Sequence, residues 1–341
     1  MIAAVVLAAV LAAVLYIHHQ RRPLPPLAGA SASAPPDLMS LLPPGAPVEA
    51  YIDVAALRKL QNSPLAAMLG LVGADPKQDR DYQQFVAGTG FDYERDLDTA
   101  AVAIWPVALL ASGGGLGPNQ VFAVADGRFD QEKIKAYALR TGHVSAVEGQ
   151  PVYVVAGNPP DAIRFLSATR IELSTSETLK FSGAQPTAAQ NDAMRARIKR
   201  VAGAPIFAAA RTDTLPSSFY DVFKNSPQLE TLVRSVKGLA FVGQPKGDRI
   251  DFGLDAECDS LTHATELATL IDTFRIFGSV ALSDPKSRGQ MTRQQAALVA
   301  DLVSKVKVTH QDRWVRMTLA LTPQMLGETN GTHAQLLPAP K

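Results

Sequence analysis

The chain has 341 residues, 47% of them apolar, and 33 Lys plus Arg stand against 32 Asp plus Glu for a net charge of +1. That length and apolar content predict a well-buried core and about two domains of roughly 150 residues, which excludes disorder of the whole. The near-neutral balance excludes a global field for gathering nucleic acid or polyanionic substrates, so no nucleic-acid partner is expected and any charged partner must be held locally. Cys258 is the sole cysteine, which rules out an intrachain disulfide, a thiolate zinc site and a cysteine-ligated cluster. With no basic neighbour in sequence, Cys258 reads as a small, partly buried residue ending a strand rather than a reactive thiol.

Residues 1–17 predict a transmembrane anchor. Ile2 to Ile17 carry no charged or amide side chain, Leu7, Leu11 and Leu15 supply its bulk, and Tyr16 lies at the interfacial end. At about 1.5 Å per residue the helix reaches about 25 Å, near the lower limit for a bilayer. His18, His19, Gln20, Arg21 and Arg22 follow as a polar stop. Because Arg21 and Arg22 occupy the zone where a secretory signal would be cleaved, an uncleaved signal-anchor is expected. The positive-inside rule alone would keep the body cytoplasmic; long domains translocate largely regardless of such charges, and an apolar run opening at residue 2 also fits a start placed downstream of a basic leader. The outward orientation is the expectation and the cytoplasmic one its alternative.

Residues 18–44 read as a stalk, since Pro, Ala, Ser and Leu dominate from Pro23 to Pro44 and favour extended backbone with few core side chains. Two α+β sandwich domains follow, 45–185 and 186–341, as a divergent repeat of β-α-β-β-α order with antiparallel-rich sheets. Gly45-Ala46-Pro47 opens the strand Val48 to Val54, and a helix runs through Leu57, Leu60 and Leu65. Gly203-Ala204-Pro205 opens Ile206 to Ala210, with Phe219, Val222, Phe223, Leu229 and Leu232 on the helix after it. Ala100 to Val107 and Val121 to Ala125 form a strand pair, matched by Gly238 to Val242 and Ile250 to Leu254. The helix after each pair starts at Asp130, an N-cap, and stops at Gly142 in the first copy, and starts near Asp259 or Ser260 in the second. Further strands are predicted at Pro151 to Ala156, Arg170 to Ser174, Val306 to His310 and Trp314 to Leu321, the last two as a hairpin around Gln311-Asp312. Thr292 and Gln295 form a capping box for one more helix, which carries Leu298, Val299, Leu302 and Val303.

Leu42 to Pro47 running into Tyr51-Ile52-Asp53-Val54, the stretch Thr89 to Asp98, and Gly127-Arg128-Phe129-Asp130 together resemble a group of bacterial, largely acidobacterial, membrane-anchored proteins of the DUF3352-like kind. The resemblance spans about residues 40 to 175 and implies a bacterial inner-membrane protein with a periplasmic body. It carries no activity, so it transfers no functional residues.

Each candidate site has a simpler reading beside it. Gly113 to Gly117 suggests a phosphate loop, but Pro118 leads into a strand rather than a helix N-terminus, so a hairpin connection is expected. Asp92, Glu94, Asp96 and Asp98 are spaced like calcium ligands, yet Leu97 and Ala103 stand where such a loop needs Gly and Glu; a turn with its carboxylates solvated or paired to Arg95 is expected. Asp251, Asp255, Glu257 and Asp259 share one strand face with His263 beyond, the weak metal candidates being Asp251, Asp255, Glu257 and His263; a solvated outer face explains the alternation equally. Ser283 and Lys286 match the Ser-x-x-Lys spacing of acyl enzymes without its companion motifs. His143, His310 and His333 are isolated in sequence. Arg195, Arg197, Lys199 and Arg200 form a basic helix face with anionic lipid headgroups as its functional alternative. No cofactor is expected. The predicted function is noncatalytic binding of a protein or peptide partner at the cell envelope, with an envelope hydrolase assembled only in the fold, or a structural subunit of a membrane complex, as alternatives.

Overall fold

The structure is a computed structural model that describes residues 36–59, 80–105, 120–156, 160–177, 188–213, 226–246, 249–283 and 301–321. The chain is α+β, with helices set against antiparallel sheet. The expected anchor lies outside the described residues, and among those described no helix is long and apolar enough to cross a membrane. By internal contact the described residues form two units, 36–213 and 226–321.

In the N-terminal unit the elements are α1 (Pro36–Ser40), β1 (Val48–Asp53), α2 (Val54–Arg58), α3 (Arg80–Thr89), α4 (Tyr93–Asp96), β2 (Leu97–Trp105), β3 (Gln120–Gly127), α5 (Gln131–Thr141), β4 (His143–Val147), β5 (Gln150–Val155), β6 (Asp161–Phe165), β7 (Arg170–Ser174), α6 (Ala188–Val201) and β8 (Ile206–Arg211). The strands run in the order β8-β1-β2-β3-β7-β6-β5-β4. β1 lies between β2 and β8, which places Tyr51 opposite Ala101 and Phe207, and the Tyr51 and Phe207 rings stack at 5.1 Å. The strand expected at Ile206 to Ala210 therefore forms, but it is hydrogen-bonded along β1 rather than opening a separate domain at residue 186.

One boundary and one strand differ from the expectation for physical reasons. Residues 36–42, expected in the stalk, make a helical turn whose Leu38 and Leu42 are buried, so the extended stretch gives way to core before Pro44. β4 was not expected. It pairs with β5 through Glu148 and Gly149, both at positive φ, the two-residue turn whose backbone twist suits a tight hairpin. Asp130 does cap α5, accepting a hydrogen bond from the Lys133 N–H at 3.1 Å. Gly142 ends that helix, but at φ −152° it is not left-handed. A Cβ there would lie 1.9 Å from the Val154 carbonyl oxygen, so glycine is required by the close approach of β5.

One face of this sheet carries charge inside the protein. Arg170 grips Asp126 across β7 and β3 at 2.6 and 2.7 Å, and Arg164 grips Glu172 across β6 and β7. Burial raises the Glu49 carboxyl to about 7, outweighing the opposing charge of Arg211. Tyr51 is also pushed up, first by burial and then by Asp53 and Asp126.

The C-terminal unit holds α7 (Pro227–Ser235), β9 (Val236–Lys246), β10 (Arg249–Cys258), α8 (Leu261–Ser283), β11 (Lys307–Gln311) and β12 (Trp314–Leu321). Its strands run β11-β12-β10-β9. Leu254, Ala256 and Cys258 of β10 pack with Leu232 of α7, Ala264, Leu267, Ala268 and Ile271 of α8, and Val315 and Met317 of β12. Burying a side chain such as Leu254 contributes about 1.5–3 kcal/mol. The β11–β12 hairpin turns at Asp312, which has a φ of 54°. Thr292 and Gln295 lie outside the described residues, which resume as a helical segment at 301–305.

Candidate functional site

The turn between α3 and β2 builds one wall of a cleft in the N-terminal unit. Asp92 precedes α4 and accepts from the Glu94 N–H at 2.9 Å, closing a single helical turn. That turn brings Asp96 back onto its own start, where its carboxylate accepts from the Asp92 N–H at 3.0 Å and from Arg95 Nε at 2.8 Å. A second Arg95 nitrogen, Nη2, also donates to Asp96 and, at 2.7 Å, to the Gly90 carbonyl. Arg128, just past β3, donates from Nη2 to the Arg95 carbonyl at 2.8 Å and stands 3.7 Å from Asp96. Burial raises the Asp96 carboxyl, but the Arg95 and Asp92 hydrogen bonds and the charges of Arg95 and Arg128 outweigh it and hold it below the usual range.

The start of α5 and the β6–β7 turn make the other wall. Gln131 donates to the Ser167 carbonyl at 2.7 Å, tying the helix to the turn. Phe129 meets Phe165 edge-on at 6.2 Å, and Leu166 is 39% exposed beside them. Beneath, Phe85 packs edge-on against both Phe91 and Tyr137, at 5.8 and 5.3 Å. Gly88 permits that contact, since a Cβ would lie 2.4 Å from the Tyr137 ring. The resulting cleft has a volume of about 790 Å³, within the range of ligand sites.

The sequence candidates do not converge elsewhere. Of the calcium-like set only Asp96 lines this cleft; Asp98 is buried 3.6 Å from Arg58, and Asp92 caps α4. Since Arg95 and Arg128 hold Asp96, that carboxylate is answered by cations of the protein itself. The β10 acids are not a solvated face: Asp255 and Glu257 are buried and each meets a base. Arg316 binds Asp255 through two hydrogen bonds at 2.5 Å, Arg313 lies 2.7 Å from Glu257, Lys246 and Arg249 each lie 3.0 Å from Asp251, and His263 lies 2.6 Å from Asp259. Among the described residues no group of three or more His, Cys, Asp or Glu is arranged to hold a metal. The Asp251–Glu257 face lines neither this cleft nor a smaller one of about 300 Å³ beside α7 that includes His263 and Glu266.

The basic helix face is also broken. Met194, Arg197 and Val201 of α6 point inward, so Arg197 is buried and withdrawn from any headgroup, while Arg195 pairs with Asp192 at 2.7 Å. Lys199 and Arg200 remain exposed. His143 lies 3.5 Å from Glu177 and His310 is exposed on β11. Gly113 to Gly117, Lys286 and His333 lie outside the described residues, and Ser283 ends α8. Cys258 is fully buried at the end of β10, and burial pushes its thiol up to about 11, against the weaker effect of a Ser235 hydrogen bond. Sequence reasoning did not single out Arg128, Phe129, Gln131, Phe165 or Leu166. The signal was present: the stretches Thr89 to Asp98 and Gly127 to Asp130, quoted for the resemblance, are two of the three segments that line the cleft.

No protein-family model matches the sequence, and no curated protein matches it. Among solved structures, crystal form IV of TP0453 aligns at a TM-score of 0.43 and 9% identity, over 87% of this chain and 97% of that one. Crystal form III aligns at 0.41 and 8% over 89% and 100%, and form I at 0.40 and 9% over 89% and 99%. Similarity at this level transfers neither fold nor function.

Proposed function

We propose that this chain is a noncatalytic binding protein of the bacterial cell envelope, anchored in the inner membrane by Ile2 to Ile17, with its body in the periplasm and a protein or peptide partner seated in the cleft between α4, α5 and the β6–β7 turn. The observation that carries the reading is the cleft itself: fixed guanidinium groups on one side and an aromatic wall on the other suit recognition of a chain with mixed polar and apolar side chains. The charge-free run at residues 2–17 supports the anchor. The repeated β-α-β-β-α order supports a duplication, since β2–β3 and β9–β10 are both antiparallel pairs followed by a helix, although β8 has joined the first sheet.

Two experiments test this. A photo-crosslinking residue in place of Leu166 in native membranes should give a discrete adduct, and one in place of Leu139, 60% exposed on α5 outside the cleft lining, should not. Equal labelling from both positions, or none from Leu166, would count against the cleft. Protease added to intact spheroplasts should digest the body; protection would place it in the cytoplasm.

A further inference from the structure

Resting on the binding reading above, we infer that the cleft recognises a single carboxylate carried by a peptide beside an apolar side chain, with Arg128 as its receptor. Arg128 is anchored at one end only. Both of its side-chain contacts with described residues run through Nη2, to the Arg95 carbonyl at 2.8 Å and toward Asp96 at 3.7 Å, and its side chain remains 59% exposed on the cleft wall. A guanidinium held by one corner keeps an edge for a second, two-pronged contact, the geometry in which arginine binds carboxylates best.

Charge decides which anion fits. Three acids line the cleft, Asp96, Asp130 and Glu132. Lys133 answers Asp130 at 2.7 Å and Lys135 answers Glu132 at 2.8 Å, while Asp96 alone faces both Arg95 and Arg128. Among the lining residues Arg95, Arg128 and Lys133 balance the three acids, so the surplus is local: one positive charge where two arginines meet Asp96. A monoanion neutralises it. A phosphate dianion would add charge beside Asp130 and Glu132, and a polyanionic surface would meet little long-range attraction from walls so nearly balanced. The apolar side of the cleft sets the second requirement. Phe129, Phe165 and Leu166 offer a hydrophobic wall, and a volume of about 790 Å³ far exceeds a lone carboxylate, so the ligand brings an aliphatic or aromatic neighbour with its acid.

The test uses the full chain in nanodiscs of neutral lipid and two capped fluorescent alanine-based peptides, one with a single glutamate beside a leucine and its twin with glutamine in place of the glutamate. The glutamate peptide should bind at least tenfold more tightly than the twin by fluorescence anisotropy. That advantage should vanish in Arg128→Ala, shrink in Arg128→Lys, which keeps the charge without the fork, and persist in Arg195→Ala outside the cleft. Equal affinity for the twins, or an advantage that survives Arg128→Ala, overturns the carboxylate assignment. If both twins bind equally and crosslink at Leu166, the binding reading stands and only the carboxylate fails; if neither binds and Leu166 captures nothing in membranes, both fail. Displacement of the peptide by inorganic phosphate or by phosphatidylglycerol vesicles at concentrations well below those at which unlabelled peptide displaces it would reassign the site to phosphate or lipid and overturn the proposal.

Discussion

Asp96 in the N-terminal unit and Asp255 in the C-terminal unit are both almost fully buried and both held by arginine, yet the two arrangements have different consequences. Asp255 faces Arg316 directly across β10 and β12, and Glu257 meets Arg313 just before β12. These charges join a strand pair. Asp96 instead sits at the base of a single helical turn and is shared by Arg95 and Arg128, whose side chains are 61% and 59% exposed. Two guanidinium groups on one carboxylate leave positive charge facing a cleft. A buried acid paired with arginine thus marks a site only when the arginine has an accessible side left over.

The comparison breaks most readily at Asp255. Asp255→Ala should destabilise the C-terminal unit by about 2–3 kcal/mol in urea denaturation, toward the lower end for a buried pair because Arg316 can turn to water. Binding in the cleft should not change. Asp96→Ala should cost less stability, about 1–2 kcal/mol, since both of its arginines are already more than half exposed. It should nonetheless weaken ligand binding about tenfold, because Arg128 loses the charge it leans toward, whereas a purely structural Asp96 would leave affinity intact. The depressed Asp96 carboxyl adds a pH signature: its stabilisation is present above the ordinary carboxylate range and is lost as pH falls through the lowered value.

Glu49 tests the sheet between these extremes, as a half-buried acid that Arg211 only partly compensates. Its folded value of about 7 lies above the ordinary 4.5, so its contribution is full below the ordinary value and is lost as pH rises through about 7. Glu49→Gln should therefore raise stability at pH 8 by about 1 kcal/mol, discounted for partial exposure, and leave it unchanged near pH 4. Thermal unfolding at the two pH values reads the difference; an equal effect at both would contradict it.

Much of the architecture was legible because local physics decides it. Arg170 to Ser174 and Trp314 to Leu321 form as strands within the bounds expected from their alternation, and Asp130 caps α5 because its side chain needs only the Lys133 N–H one turn away. β4 was equally local and was missed: Glu148-Gly149 between Val144 to Val147 and Pro151 to Val155 is a two-residue turn between apolar-rich runs. Arg197 defeated the helix pattern, since a single buried arginine on α6 reads in sequence as part of a charged face. Two of the segments that line the cleft stood out in the sequence, but that they meet was not legible, for they come together only through pairing. Arg128 and Leu166 line one cleft because β3 lies beside β7 and β7 beside β6, and no spacing in the chain encodes that adjacency. The period-two acids of β10 drew attention instead; Arg249 of the same strand and Lys246 at the end of β9 answer Asp251 from nearby in the chain, whereas Arg316 of β12 and Arg313 just before it reach Asp255 and Glu257 only through pairing.

The central claim is that this cleft seats a carboxylate-bearing peptide on Arg128, and a crystal structure of the chain with the bound glutamate–leucine peptide tests it most directly. The account predicts a peptide carboxylate about 3 Å from the Arg128 guanidinium with an apolar side chain against Phe129 and Phe165. A peptide bound elsewhere, or one whose carboxylate points to solvent while Arg128 turns away, would contradict it.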